Sequence, residues 1–264
     1  MLLYRLSQAQ MIYTNFRLNL LYLAVITTVC ACSSTEVATD NPDALFAEAE
    51  SELTDGRFLM AIEKYRDIKN RFPYSTRAVD AELRIADAYF QQESYIESET
   101  AYEVFKELHP THHKSDYVQY QVALSDFYQI PTHPGRDLTA AYKAIDAFKV
   151  LEERYPSSEY IEKGRVHSAE ARRKIAEYES YVADFYFRRR HFLSASYRYA
   201  ALLKDFPDMG YDEEALYRLG ESYFRIRMFG SAKETLGRLM KSFPESSYKS
   251  GAQALLEELQ KKNN

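Results

Sequence analysis

Residues 58–73 read FLMAIEKYRDIKNRFP. Phe58, Ala61, Tyr65 and Ile68 follow one another at steps of three, four and three, and Pro73 comes five residues later. Those steps return to one face of an α-helix. The proline ends the helix, because it has no backbone N–H to donate. The spacing recurs at Tyr95, Ser98, Tyr102, Phe105 and Pro110. It recurs again at Phe192, Ala195, Tyr199, Leu202 and Pro207, and at Phe229, Ala232, Leu236, Leu239 and Pro244. A further copy keeps Ala144, Phe148, Leu151 and Pro156.

Each of these helices needs a partner to cover its apolar face, and the residues upstream supply one. Tyr89, Tyr186 and Tyr223 stand six residues before the first aromatic of their copies, with Ala86, Ala183 and Gly220 three residues earlier still. A small residue lets two helices approach closely, and the aromatic fills the groove beside it. Gly56 falls in the turn of the first pair. The pattern resembles the tetratricopeptide consensus over about 45–246. The predicted fold class is therefore all-α, a tetratricopeptide-type α-solenoid of about five helix pairs with a C-terminal capping helix. The expected repeats are about 43–73, 78–110, 115–156, 175–207 and 212–246, with the cap at 247–260. Proline spacings of 37, 46, 51 and 37 make the array irregular. The turn-rich stretch Ile130–Arg136 explains part of the excess. The proline-free run from Tyr160 to Arg190 predicts one long helix, with Gly164 as the place for a bend.

Composition agrees with a helical body. Glycine and proline number only eight each, while there are 23 Tyr and 15 Phe and no Trp. The formal net charge is −5, which leaves no electrostatic footprint for nucleic acid. Both cysteines, Cys30 and Cys32, lie near the N-terminus. A disulfide framework and a cysteine zinc site are thus excluded from the rest of the chain.

Residues 18–32 read LNLLYLAVITTVCAC, an uncharged run behind Arg17. It is short for a membrane-spanning helix and fits the apolar region of an export signal. Val29-Cys30-Ala31-Cys32 resembles a bacterial lipobox, with small Ala31 before Cys32. The expectation is a signal peptide over 1–31, with Met11 giving a more usual signal length than Met1. A lipidated tether over 32–42 and a repeat domain over 43–264 follow. Cys32 would carry an S-diacylglycerol and an N-acyl chain, which together anchor stably. No other cofactor is expected. By resemblance to Gram-negative lipoproteins, Ser33 after the cysteine favours the outer membrane, with the body facing the periplasm.

Three stretches carry a closer likeness. They are Asn-Arg-Phe-Pro-Tyr at 70–74, His109-Pro110-Thr111-His112 with Asp116-Tyr117-Val118-Gln119-Tyr120, and the run from Arg136-Asp137 through Arg154-Tyr155-Pro156-Ser157-Ser158-Glu159-Tyr160 to Tyr178-Glu179 and Tyr181–Tyr186. In this order they resemble the BamD family of outer-membrane β-barrel assembly lipoproteins. That resemblance implies a docking scaffold. Its partners would be the POTRA domains of the barrel-forming subunit BamA, other assembly lipoproteins, and unfolded outer-membrane proteins awaiting insertion. The alternative is another tetratricopeptide envelope lipoprotein, coordinating cell-wall or division factors.

Candidate client-binding residues are Phe72, Tyr74, Tyr117 and Tyr120, with packing between repeats as the competing reading. Candidates for the BamA interface are Arg198, Arg188 and Arg189. Arg198 adjoins the core anchor Tyr199 and should point away from that core. For the arginine run, a favourable cation cluster at a helix C-terminus is the competing reading. His109, His112 and His113 do not share one helix face, so they predict a turn rather than a metal site. No His-Glu-x-x-His, phosphate loop or Gly-x-Ser-x-Gly element occurs, and no enzymatic role is expected.

Overall fold

The computed structural model describes residues 40–263; the signal segment, Cys32 and most of the tether lie outside them. The described residues form eleven α-helices and no strand. They are α1 (Pro42–Thr54), α2 (Phe58–Arg71), α3 (Thr76–Gln91), α4 (Tyr95–Leu108), α5 (Ser115–Tyr128) and α6 (Thr139–Arg154). Then come α7 (Ile161–Arg188), α8 (Phe192–Asp205), α9 (Asp212–Arg225), α10 (Phe229–Ser242) and α11 (Lys249–Asn263). Each helix packs on the next in sequence. The odd-numbered helices also touch one another, α1 with α3, α5 with α7, α7 with α9 and α9 with α11. They make one layer, and the even-numbered helices lie against it. That is the paired, stacked arrangement of a tetratricopeptide-type solenoid.

The repeat spacing places the core. Ala61, Tyr65 and Ile68, and their counterparts in the other four copies, are at most 2% exposed. Ser98 takes the place of alanine in the second copy, and its hydroxyl meets Ser125 Oγ at 3.1 Å. Every even-numbered helix ends alike. Phe72, His109, Tyr155, Phe206 and Phe243 adopt φ between −128° and −132°, and each N–H bonds the carbonyl four residues back. The following proline clashes with a helical conformation at the residue before it, so the chain leaves the helix there.

Four of the five turns inside the pairs share a second geometry. Gly56, Glu93, Arg190 and Arg227 have φ of 75°, 62°, 60° and 64°. After each, an N–H reaches five residues back: Arg57 to Glu52, Ser94 to Tyr89, His191 to Tyr186 and Met228 to Tyr223. This left-handed cap satisfies the last carbonyls of the preceding helix. Only the first copy uses glycine for it.

α7 is continuous over 28 residues and serves two repeats. Its start packs on the third pair, where a Cβ on Gly164 would stand 3.2 Å from Leu151 and Phe148. Gly164 is thus a close-approach residue inside an unbroken helix. Further along, Ile175 packs with Leu138 and Ala141 of the third pair, while Ala176 and Ala183 face the fourth. At the far end α11 buries Ala252 and Leu259 against α9 and α10. No helix of the described residues is long and apolar enough to cross a membrane.

Candidate functional site

Two surfaces stand out. The first is a groove of about 550 Å³ between α2, α3 and α4. Its apolar lining comes from Ile85, Tyr89, Ile96, Val104 and Phe105, with Arg66 and Lys69 at one side. α4 is apolar on two faces. Ser98, Tyr102 and Phe105 enter the core, while Ile96, Val104 and Leu108 are 65%, 46% and 58% exposed. A helix with a second apolar stripe presents it to solvent or to a partner. Arg66 is held by Tyr89 Oη at 2.6 Å, and no carboxylate of the described residues pairs with it. Lys69 lies 3.2 Å from Glu82, which also meets His109 Nε2 at 2.6 Å.

The second surface is a cavity of about 510 Å³ between the end of α7, the start of α8 and α9. Arg188, Arg190, Arg218 and Arg225 line it, interleaved with Asp184, Glu214 and Glu221 on the same helices. Beside these helices α8 exposes Leu193 and Tyr197. Arg198 reaches across to Glu179 of α7 at 3.1 Å.

A buried polar framework holds both regions in register. Tyr65 donates to Glu50 at 2.5 Å and Tyr102 to Asp87 at 2.6 Å, and Tyr199 donates to Asp184. Each carboxylate lies fifteen residues before its tyrosine. Burial, reinforced by the carboxylate, pushes all three hydroxyls above their ordinary pKa, so they remain neutral donors. Arg84 bridges the first two pairs, 2.9 Å from Glu50 and 3.1 Å from Asp87. The arrangement positions surfaces. Among the described residues there is no group of His, Cys, Asp and Glu able to hold a metal.

The residues singled out from the sequence fall in separate places. Phe72 is half-buried against the α1–α3 core, under the Arg71 guanidinium at 5.2 Å. Tyr74 is fully exposed at 102%. Tyr117 is half-buried and donates to Asp87 at 2.8 Å. Tyr120 is 8% exposed and stacks on Tyr160 at 5.0 Å. Phe72 and Tyr120 thus belong to different cores, and the four form no common pocket. Arg189 lies 4.6 Å over the Phe185 ring, whereas Arg188 faces the cavity. Sequence reasoning passed over Ile96 and Val104, which sit between the core positions of their own copy. Their spacing of eight residues, two helical turns, was the available signal.

Among the described residues, five helix pairs and a terminal helix define a tetratricopeptide-type helical scaffold. The YfiO family model, described as outer membrane lipoprotein, matches residues 38–235. The chain belongs to that family. It is 31% identical over 198 residues to the outer membrane protein assembly factor BamD of Vibrio cholerae, spanning 70% of this chain and 82% of that one. The outer membrane protein assembly factor BamD of Neisseria gonorrhoeae is 28% identical over 181 residues, spanning 65% and 68%. Among solved structures, the TPR2AB domain of yeast Sti1 in its pHSP90 complex aligns with a TM-score of 0.40 at 14% identity, covering 83% of this chain and 98% of that one.

Proposed function

We infer that this chain is a lipid-anchored scaffold for outer-membrane protein assembly, held at the periplasmic face of the outer membrane through Cys32. Its work is binding, not catalysis. The C-terminal pairs grip the POTRA domains of a BamA-like barrel subunit around Arg198, with Arg188 and Arg189 beside it. The N-terminal pairs receive unfolded outer-membrane proteins. The observation that carries this reading is the second apolar stripe of α4, which the fold leaves uncovered beside Arg66. An extended client segment ending in an aromatic residue would lay its ring on Ile96 and Val104. Its carboxylate would then meet Arg66, joining apolar contact to a charge-assisted hydrogen bond. Family membership supports the assignment, as do relatives named as outer membrane protein assembly factors.

Depletion in cells tests it. Many outer-membrane barrels should fall together, and a POTRA-containing barrel should co-purify with the chain. Unchanged outer-membrane protein levels after depletion would remove the assignment. Replacing Ile96 and Val104 by serine should weaken capture of client-derived peptides roughly tenfold or more, as expected when anchor contacts are truncated. Capture that survives intact places the client elsewhere.

A further inference from the structure

The cavity between α7, α8 and α9 holds four guanidinium groups, and they are not alike. Arg218 is fixed: it lies 4.7 Å over the Phe187 ring, 3.6 Å from Glu214 and 3.9 Å from Glu221. Arg225 is paired too, 3.1 Å from Glu221 and 5.9 Å over Phe192. Arg188 and Arg190 also line the cavity, and no carboxylate of the described residues pairs with either. The third acid, Asp184, is engaged by the buried Tyr199 hydroxyl. Four cations against three anions leave the lining with one positive charge in excess. Arg190 occupies the left-handed turn position that is Gly56 in the first pair, so this copy projects a guanidinium where that one has no side chain.

We propose that this cavity is a receptor for one acidic side chain, Asp or Glu, presented by the protein partner of the C-terminal pairs. A guanidinium fork matches a planar carboxylate with two parallel hydrogen bonds. A single excess charge matches a monoanion. Phe187 and Phe192 wall one side with apolar surface, and lower local dielectric strengthens the pairing. A membrane surface fits poorly, because it is flat and anionic while the recess is concave and carries three carboxylates. A cation cluster at a helix end is worth little by itself. Here, however, the two unpaired arginines share a cavity with two whose carboxylate partners are already at hand. The proposal rests on the reading that the C-terminal pairs meet POTRA domains.

The test is calorimetric titration of the detergent-solubilised full chain with the purified POTRA domains of the same organism's barrel subunit, at low and high salt. The variants are Arg188→Gln with Arg190→Gln, Arg188→Lys with Arg190→Lys, and Arg198→Glu. Circular dichroism confirms that each remains folded. The glutamine pair should bind roughly tenfold more weakly or worse and lose much of the salt dependence. The lysine pair should keep the salt dependence while losing part of the affinity. If the glutamine pair binds like the wild type while Arg198→Glu weakens binding, the receptor is refuted and the scaffold reading stands. If the wild-type chain does not bind the domains, both fall. Saturable binding of dihexanoyl phosphatidylglycerol that disappears in the glutamine pair would assign the cavity to a lipid phosphate and overturn the proposal.

Discussion

The second and fifth helix pairs solve one packing problem with different chemistry. In the second, Tyr102 is fully buried and its hydroxyl is satisfied by Asp87 of the partner helix, which Arg84 ties to the first pair. In the fifth, Leu236 takes the tyrosine's place, and the residue fifteen positions earlier, Glu221, turns instead to Arg225 and Arg218. The partner helix has changed to suit. Ala86 faces the second core, but the matching position in the fifth is Gly220, where a Cβ would stand 2.6 Å from Leu236 Cγ. A branched leucine reaches the partner backbone that a flat ring does not crowd. The repeat therefore keeps a volume and a backbone distance, and leaves open whether the core anchor is hydrogen-bonded or apolar. One end of the array is held by a hydrogen-bonded ionic chain, the other by close apolar fit.

Mutations at matched positions should separate the two modes, read by urea unfolding followed by circular dichroism. Leu236→Ala should cost about 2–5 kcal/mol, from lost transfer free energy and the cavity left behind. Gly220→Ala should cost about 1–3 kcal/mol by overpacking, because the clash involves a branched side chain with nowhere to go. A result near zero would show that α9 and α10 can slide apart, and that the fifth pair depends on close fit no more than the second.

Between these ends, the joint of α4, α5 and α6 should respond to pH. Asp126 is buried, and burial beside Glu99 raises its pKa to about 7. Glu99 accepts from Lys143 and Gln129, each at 2.9 Å, and its pKa is lowered. A raised carboxyl binds more protons folded than unfolded, so it makes stability fall as pH climbs from about 4 to about 7. Asp126→Asn should remove that decline: the variant should outlast the wild type at pH 8 and converge on it near pH 4.5. Parallel curves would mean that Asp126 is ionised throughout.

Smaller effects remain. Tyr102→Phe should cost about 1 kcal/mol, the net worth of one hydrogen bond, since Tyr117 and Arg84 still serve Asp87. Arg227→Gly should raise stability by about 0.5–1 kcal/mol, because a left-handed residue with a Cβ is strained and glycine is not. Gly56→Ala should do the reverse.

Much of this architecture could be read from residue spacing, because the five copies keep their core positions and their terminal proline. The length of α7 followed from missing prolines. The left-handed turns did not, since Glu93, Arg190 and Arg227 advertise nothing about φ, and only Gly56 marks the position. The acid partners of the tyrosines also escaped notice: an isolated Asp on a helix reads as solvent-facing until its neighbour in space is known. Aromatic residues near prolines drew attention as peptide contacts, yet Tyr117 and Tyr120 are engaged in packing and hydrogen bonds. The uncovered stripe of α4 was hidden by its interleaving with core residues.

The single helix that belongs to both the third and fourth pairs has a mechanical consequence. Over 28 residues it is a rod of about 42 Å, with no joint along it. A torque applied at its arginine-bearing end cannot be absorbed by a hinge, as it would be at a turn between separate repeats. Whatever seizes the helix at that end acts on the third and fourth pairs through one continuous element.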